Sequence, residues 1–87
     1  MRIYVQPFDL GTSEEKARKV CEEVAEFYAE HAISHYLDNR NNLYMEIGDV
    51  FTALVNYCHS NNIDVQYCID LANTKNVLRG RYDAMVK

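Results

Sequence analysis

Residues 43–58, LYMEIGDVFTALVNYC, decide the fold. Nearly every position is apolar or aromatic, and the polar ones, Glu46, Asp49, Thr52 and Asn56, fall on one narrow stripe at helical spacing. A helix that is apolar on most sides is buried on most sides. Glu46 and Asp49 are therefore expected within or beside a core, where an ionised carboxylate is costly unless a cation or hydrogen-bond donors meet it.

Upstream, CEEVAEFYAE (residues 21–30) carries four acids and no base. Glu22 and Glu26, and again Glu26 and Glu30, repel each other at i,i+4, where a purely solvated helix usually interleaves Lys or Arg. Glu23 and Glu26 form an i,i+3 pair that matches Glu46 and Asp49, and this spacing sets both members of a pair on one helix face. Two antiparallel helices so equipped can aim four carboxylates at one point, which requires a cation. The competing readings are a solvated acidic face for residues 22–30, and salt bridges from Arg18, Lys19, Lys75 or Arg79 for the second pair. The match between the two pairs favours metal. Oxygen donors without His or Cys point to Mg2+ or Mn2+ in preference to Zn2+.

The remaining elements follow from local signals. Thr12 and Glu15 form a capping box, and the apolar positions Ala17, Val20, Cys21, Val24, Phe27, Tyr28 and His31 predict a first helix from roughly 13 to about 37. The turn formers of DNRNN (38–42) separate it from a second helix over about 42–60. Gly48, inside that helix, costs about 1 kcal/mol relative to alanine, so close approach of another helix or a ligand is expected there. Ser60, Asn61 and Asn62 end the second helix. Asp64 caps a third over roughly 64–80, with Val65, Cys68, Ile69 and Ala72 expected inward. Before Gly11, the alternation of Ile3 and Val5 and the break at Pro7 suggest a short extended arm.

The expected fold is thus all-α: one domain over residues 1–87, an arm over 1–11 and an antiparallel helical bundle over 12–82. Only about 60–65% of the unfolded surface is buried at this chain length. Two short helices cannot cover the second, so a homo-oligomer, at least a dimer, is expected to complete the bundle.

Composition narrows the function. Hydrophobic residues at 48% and charged ones at 25% describe a globular protein, and a net charge of −4 argues against a nucleic acid polymer as partner. No apolar run is long enough to span a membrane, and no secretory signal is visible. Cys21, Cys58 and Cys68 lack a CxxC and sit at apolar helical positions, which reads as reduced core thiols of a cytoplasmic protein. His31 and His35 lie at i,i+4 without an HExxH, so a Zn2+ site is not indicated. Lys75, Asn76 and Arg79 share a face late on the third helix, suited either to phosphate or to the negative end of the helix dipole.

Taken together, EEVAE (Glu22 to Glu26), EIGD (Glu46 to Asp49) and ANTKNVLR with its K-x-x-x-R from Lys75 to Arg79 make the chain resemble the MazG family of all-α nucleoside triphosphate pyrophosphohydrolases, over roughly residues 14–82. The resemblance implies Mg2+ held by Glu23, Glu26, Glu46 and Asp49. It also implies hydrolysis of a nucleotide between its α- and β-phosphates to the monophosphate and pyrophosphate. Glu22 would orient water or act behind the ligands, and Lys19, Lys75, Asn76 and Arg79 would meet the substrate. The chain departs from longer relatives in its N-terminal arm and in lacking tryptophan, which leaves base recognition open. A phosphoribosyl-ATP pyrophosphohydrolase, which shares a KVxEE start seen here from Lys19 to Glu23, is the nearest enzymatic alternative. A non-catalytic dimerisation or regulatory module is the alternative from another class.

Overall fold

The computed structural model describes residues 11–34, 36 and 39–80 and contains three helices in this region: α1 (Ser13–Ser34), α2 (Asn41–Ser60) and α3 (Val65–Leu78). The expected all-α class holds. The arm over residues 1–10, His35 and the chain beyond Gly80 lie outside the described residues.

Each helix end has a local cause. At the start of α1 the Thr12 hydroxyl accepts from the Glu15 N–H at 3.2 Å, while the Glu15 carboxylate accepts from the Thr12 N–H at 3.3 Å, the reciprocal pattern of a capping box. Before α2, the Asn39 side chain accepts from the Asn41 N–H at 2.9 Å. The end of α2 is a Schellman motif: Asn62 takes the left-handed conformation at φ 55°, and the Ile63 N–H reaches the Cys58 carbonyl at 2.8 Å. Asp64 then caps α3, accepting from the Gln66 N–H at 2.9 Å.

Helices α1 and α2 pack along one another, and the Ser13 hydroxyl at the start of α1 donates to Asn61 just past the end of α2 at 2.9 Å, so the pair is an antiparallel hairpin. The α1 stripe that faces α2 is Lys16, Val20, Glu23, Phe27, Glu30 and Ser34, all buried or half-buried at alternating spacings of four and three. On α2 the facing stripe includes Leu43, Glu46, Val50, Ala53 and Asn56. This corrects part of the apolar stripe expected on α1, of which Val20 and Phe27 do face α2. Ala17, Cys21, Val24 and Tyr28 are exposed, because α1 turns by about one residue and presents a half-polar seam to α2.

Among the described residues, the buried apolar side chains of the core are Leu43 and Ala53. Helix α3 buries none of its residues and packs only lightly on the hairpin, so the inward placement expected for Cys68, Ile69 and Ala72 does not hold. The core thiols are corrected likewise. Cys21 and Cys68 are exposed, and Cys58 is half-buried, with burial first and the neighbouring Cys68 second raising its thiol pKa above the ordinary range. No helix of the described residues is long and apolar enough to cross a membrane.

Candidate metal centre

The half-polar seam is where the acids meet. Glu23 from α1 and Glu46 and Asp49 from α2 bring carboxylate oxygens within 4.8 Å of one another. Glu23 is the deepest, at 6% exposure; Glu46 is half-buried and Asp49 is open to solvent. One oxygen each of Glu23 and Glu46, Oε2 in both cases, is buried without a hydrogen-bond partner. Buried carboxylate oxygens are normally satisfied, and the cost of leaving one bare is a few kcal/mol.

Electrostatics point the same way. Glu46 has its pKa raised above the ordinary glutamate range, first by burial, then by the charges of Glu26, Asp49, Glu23 and Glu30. Against this cluster stands Lys19, whose Nζ lies 2.9 Å from Glu23 Oε1 and 3.8 Å from Glu22. The hydrogen bond and the charge of Glu23 raise the Lys19 pKa. Lys19 thus pairs with Glu23 and Glu22 of α1, and not with Glu46 or Asp49, for which a salt bridge was the competing reading.

Of the four carboxylates expected to converge, three do. Glu26 is exposed and stands outside the close group, because the rotation that turns Glu23 toward α2 leaves Glu26 on the solvent side. It remains near enough for its charge to act on Glu46 and Lys19. Glu22 is exposed beside Lys19.

Next to the carboxylates, a cleft of about 330 Å3 runs between the two helices, lined on α1 by Glu15, Lys16, Lys19 and Glu23 and on α2 by Asp49, Thr52, Ala53 and Asn56. Lys16, buried in the α1 seam, was not among the residues the sequence pattern singled out. Its signal is its place seven residues before Glu23, two turns away on the same face. Lys75, Asn76 and Arg79 do not line this cleft. Among the described residues, nothing comes within 4 Å of where a Cβ on Gly48 would stand, so no described helix of the chain makes the close approach expected there.

The donor set is all oxygen and anionic, with one buried, unpartnered oxygen on each of two members, and it suits a hard divalent cation. No family model matches the chain, and no curated protein or solved structure matches it.

Proposed function

We propose that the chain is a Mg2+-dependent nucleotide pyrophosphohydrolase that converts a nucleoside triphosphate and water to the nucleoside monophosphate and pyrophosphate. The observation that carries this reading is the group Glu23, Glu46 and Asp49 on two antiparallel helices, with buried bare oxygens on two of its members and a cleft alongside. The order of EEVAE and EIGD, from which the resemblance to MazG proteins was drawn, places these same residues in the ligand roles.

Glu23, Glu46 and Asp49 would hold the cation, with Glu26 at the margin adding charge. Bound Mg2+ neutralises triphosphate charge and lowers the barrier to attack by water. Lys16 and Lys19 line the cleft beside the acids and would draw in the phosphates, each ammonium acting as a point charge. Lys19 can turn from Glu23 to a phosphate oxygen once a cation satisfies the carboxylate. Glu22, next to Lys19, would accept a proton or hold water in line with the α-phosphorus. Attack there breaks the bond to the bridging oxygen, and pyrophosphate leaves with that oxygen. Lys75, Asn76 and Arg79, away from the cleft, would meet substrate only by movement of α3 or from another copy.

Pyrophosphate release tests this directly, measured over canonical and modified nucleoside triphosphates with Mg2+, with Mn2+ and with chelator. Release that needs the cation and disappears in Glu46→Gln is expected. Silence across the panel with both metals would overturn the enzymatic reading, and strong preference for phosphoribosyl-ATP would reassign the substrate.

A further inference from the structure

We infer that Cys58, in the last turn of α2, and Cys68, early in α3, form a dithiol that a low-molecular-mass disulfide oxidises to an intramolecular bridge clasping α3 to α2. The corner between the two helices places them. The Ile63 N–H donates to the Cys58 carbonyl at 2.8 Å and the Asn62 N–H to the His59 carbonyl at 3.3 Å, the two bonds of the Schellman motif. In that motif the residue after the left-handed one, here Ile63, turns its side chain back toward the helix residue whose carbonyl it bonds, here Cys58. Ile63 also stands just before Asp64, the N-cap of α3. The residue before an N-cap is the one that packs on the fourth helical position. In α3 that position is Cys68, whose N–H donates to the Asp64 carbonyl at 3.2 Å. One side chain thus serves both helix ends, and a cysteine lies on either side of it. Ile63 is only 38% exposed, so most of it is covered.

The two thiols also sense each other. Burial first and the charge of Cys68 second raise the Cys58 thiol pKa, and one charge acts on another appreciably only over a short distance. Cys21 lies elsewhere. Ser13, which meets Asn61, marks the end of α1 nearest the corner, and Cys21 is on the order of 12 Å farther along that helix. A disulfide needs Cα atoms about 4.4–6.8 Å apart. Helix α3 buries none of its residues and can settle to that spacing without loss of core packing. Cys68 is exposed and Cys58 half-buried, which sets the order of events. The Cys68 thiolate attacks one sulfur of the small disulfide, forming a mixed disulfide and releasing one small thiolate. Cys58 then yields its proton to solvent and attacks the Cys68 sulfur, expelling the second small thiolate. Both protein thiols are oxidised, and the small disulfide takes up the two electrons as a pair of thiols. The bridge fixes α3, which otherwise packs only lightly on the hairpin, and with it the face of Lys75, Asn76 and Arg79. The inference stands independently of the catalytic reading.

Incubation of the full chain with oxidised glutathione, followed by N-ethylmaleimide, tests this. The intact mass without reductant is expected to show a single chain with one maleimide and no glutathione. Cleavage before Asp64 should leave the Cys58 and Cys68 peptides joined, with the maleimide on Cys21. Measured against glutathione, closure should be at least about tenfold more favourable in the native chain than in urea, where only the short intervening segment brings the cysteines together. Cys58→Ser should stop at the mixed disulfide on Cys68, and Cys21→Ser should close the bridge as the parent does. Amide exchange in α3 should slow several-fold on oxidation and recover with a dithiol reductant. Glutathione that persists on the parent, a bridge that uses Cys21 or joins two chains, or closure no better in the native chain than in urea overturns the proposal. So does a closed bridge that leaves α3 exchange unchanged.

Discussion

Lys19 Nζ lies 2.9 Å from Glu23 Oε1, while the other oxygen of Glu23 is buried with no hydrogen-bond partner. The lysine satisfies one oxygen of a carboxylate that lies in a close group with Glu46 and Asp49. Without a cation, the cluster is repulsive, and Lys19 offsets part of that repulsion at Glu23.

Cation binding should therefore stabilise the fold. At a concentration one hundred times the dissociation constant, the gain is about 2.7 kcal/mol. For a domain of this size that corresponds to a rise in melting temperature on the order of 10 °C or more. Thermal unfolding followed by circular dichroism in Mg2+, in Mn2+ and in chelator checks it. A melting temperature unmoved by either metal would remove the metal centre.

Asp49→Asn removes one ligand charge from an exposed position without changing volume. Titration calorimetry should show cation affinity reduced at least tenfold, and turnover should be nearly abolished, while the helical content stays at the parent level. Parent-like affinity would take Asp49 out of the site.

The raised pKa of Glu46 makes stability depend on pH with a definite sign. Its folded-state value lies above its unfolded value, so the folded chain binds the proton more tightly. Stability of the metal-free protein should then rise as pH falls through the folded value, and should level off below the unfolded one. Cation binding should weaken over the same window, because the proton and the cation compete for the same oxygens. Glu46→Gln should flatten the metal-free profile in that window, which denaturant melts at a series of pH values would reveal.

Gly48→Ala tests whether anything approaches the outer side of α2. The site is open among the described residues, so alanine should add about 1 kcal/mol of helix stability. Loss of stability in urea melts, or weaker self-association, would mean that another backbone packs there.

Much of the fold is local chemistry, and local chemistry is readable. The capping box at Thr12 and Glu15, the asparagines that end α2 and the cap at Asp64 place the helices to within a few residues, except that α1 ends at Ser34 and not near 37. The orientation of α1 is not local. Apolar spacing marks Ala17, Cys21, Val24 and Tyr28 as a face to be covered, without saying by what, and α2 meets the neighbouring row instead. The site divides in the same way. Glu23, Glu46 and Asp49 follow from paired spacing on antiparallel helices, whereas the rotation of α1 brings Lys16 in and leaves Glu26 exposed outside the group.

That the α1 row facing α2 consists of Lys16, Val20, Glu23, Phe27, Glu30 and Ser34 sets durability against usefulness. Leucine at position 23 would be welcome to the packing, and replacing buried charge by well-fitted hydrocarbon often leaves a protein no less stable. It would also erase the deepest carboxylate of the cluster. Selection for heat resistance alone would drift toward such a sequence; under the metal-centre reading proposed above, the glutamates mark where cohesion between the helices is given up to keep a place for a ligand.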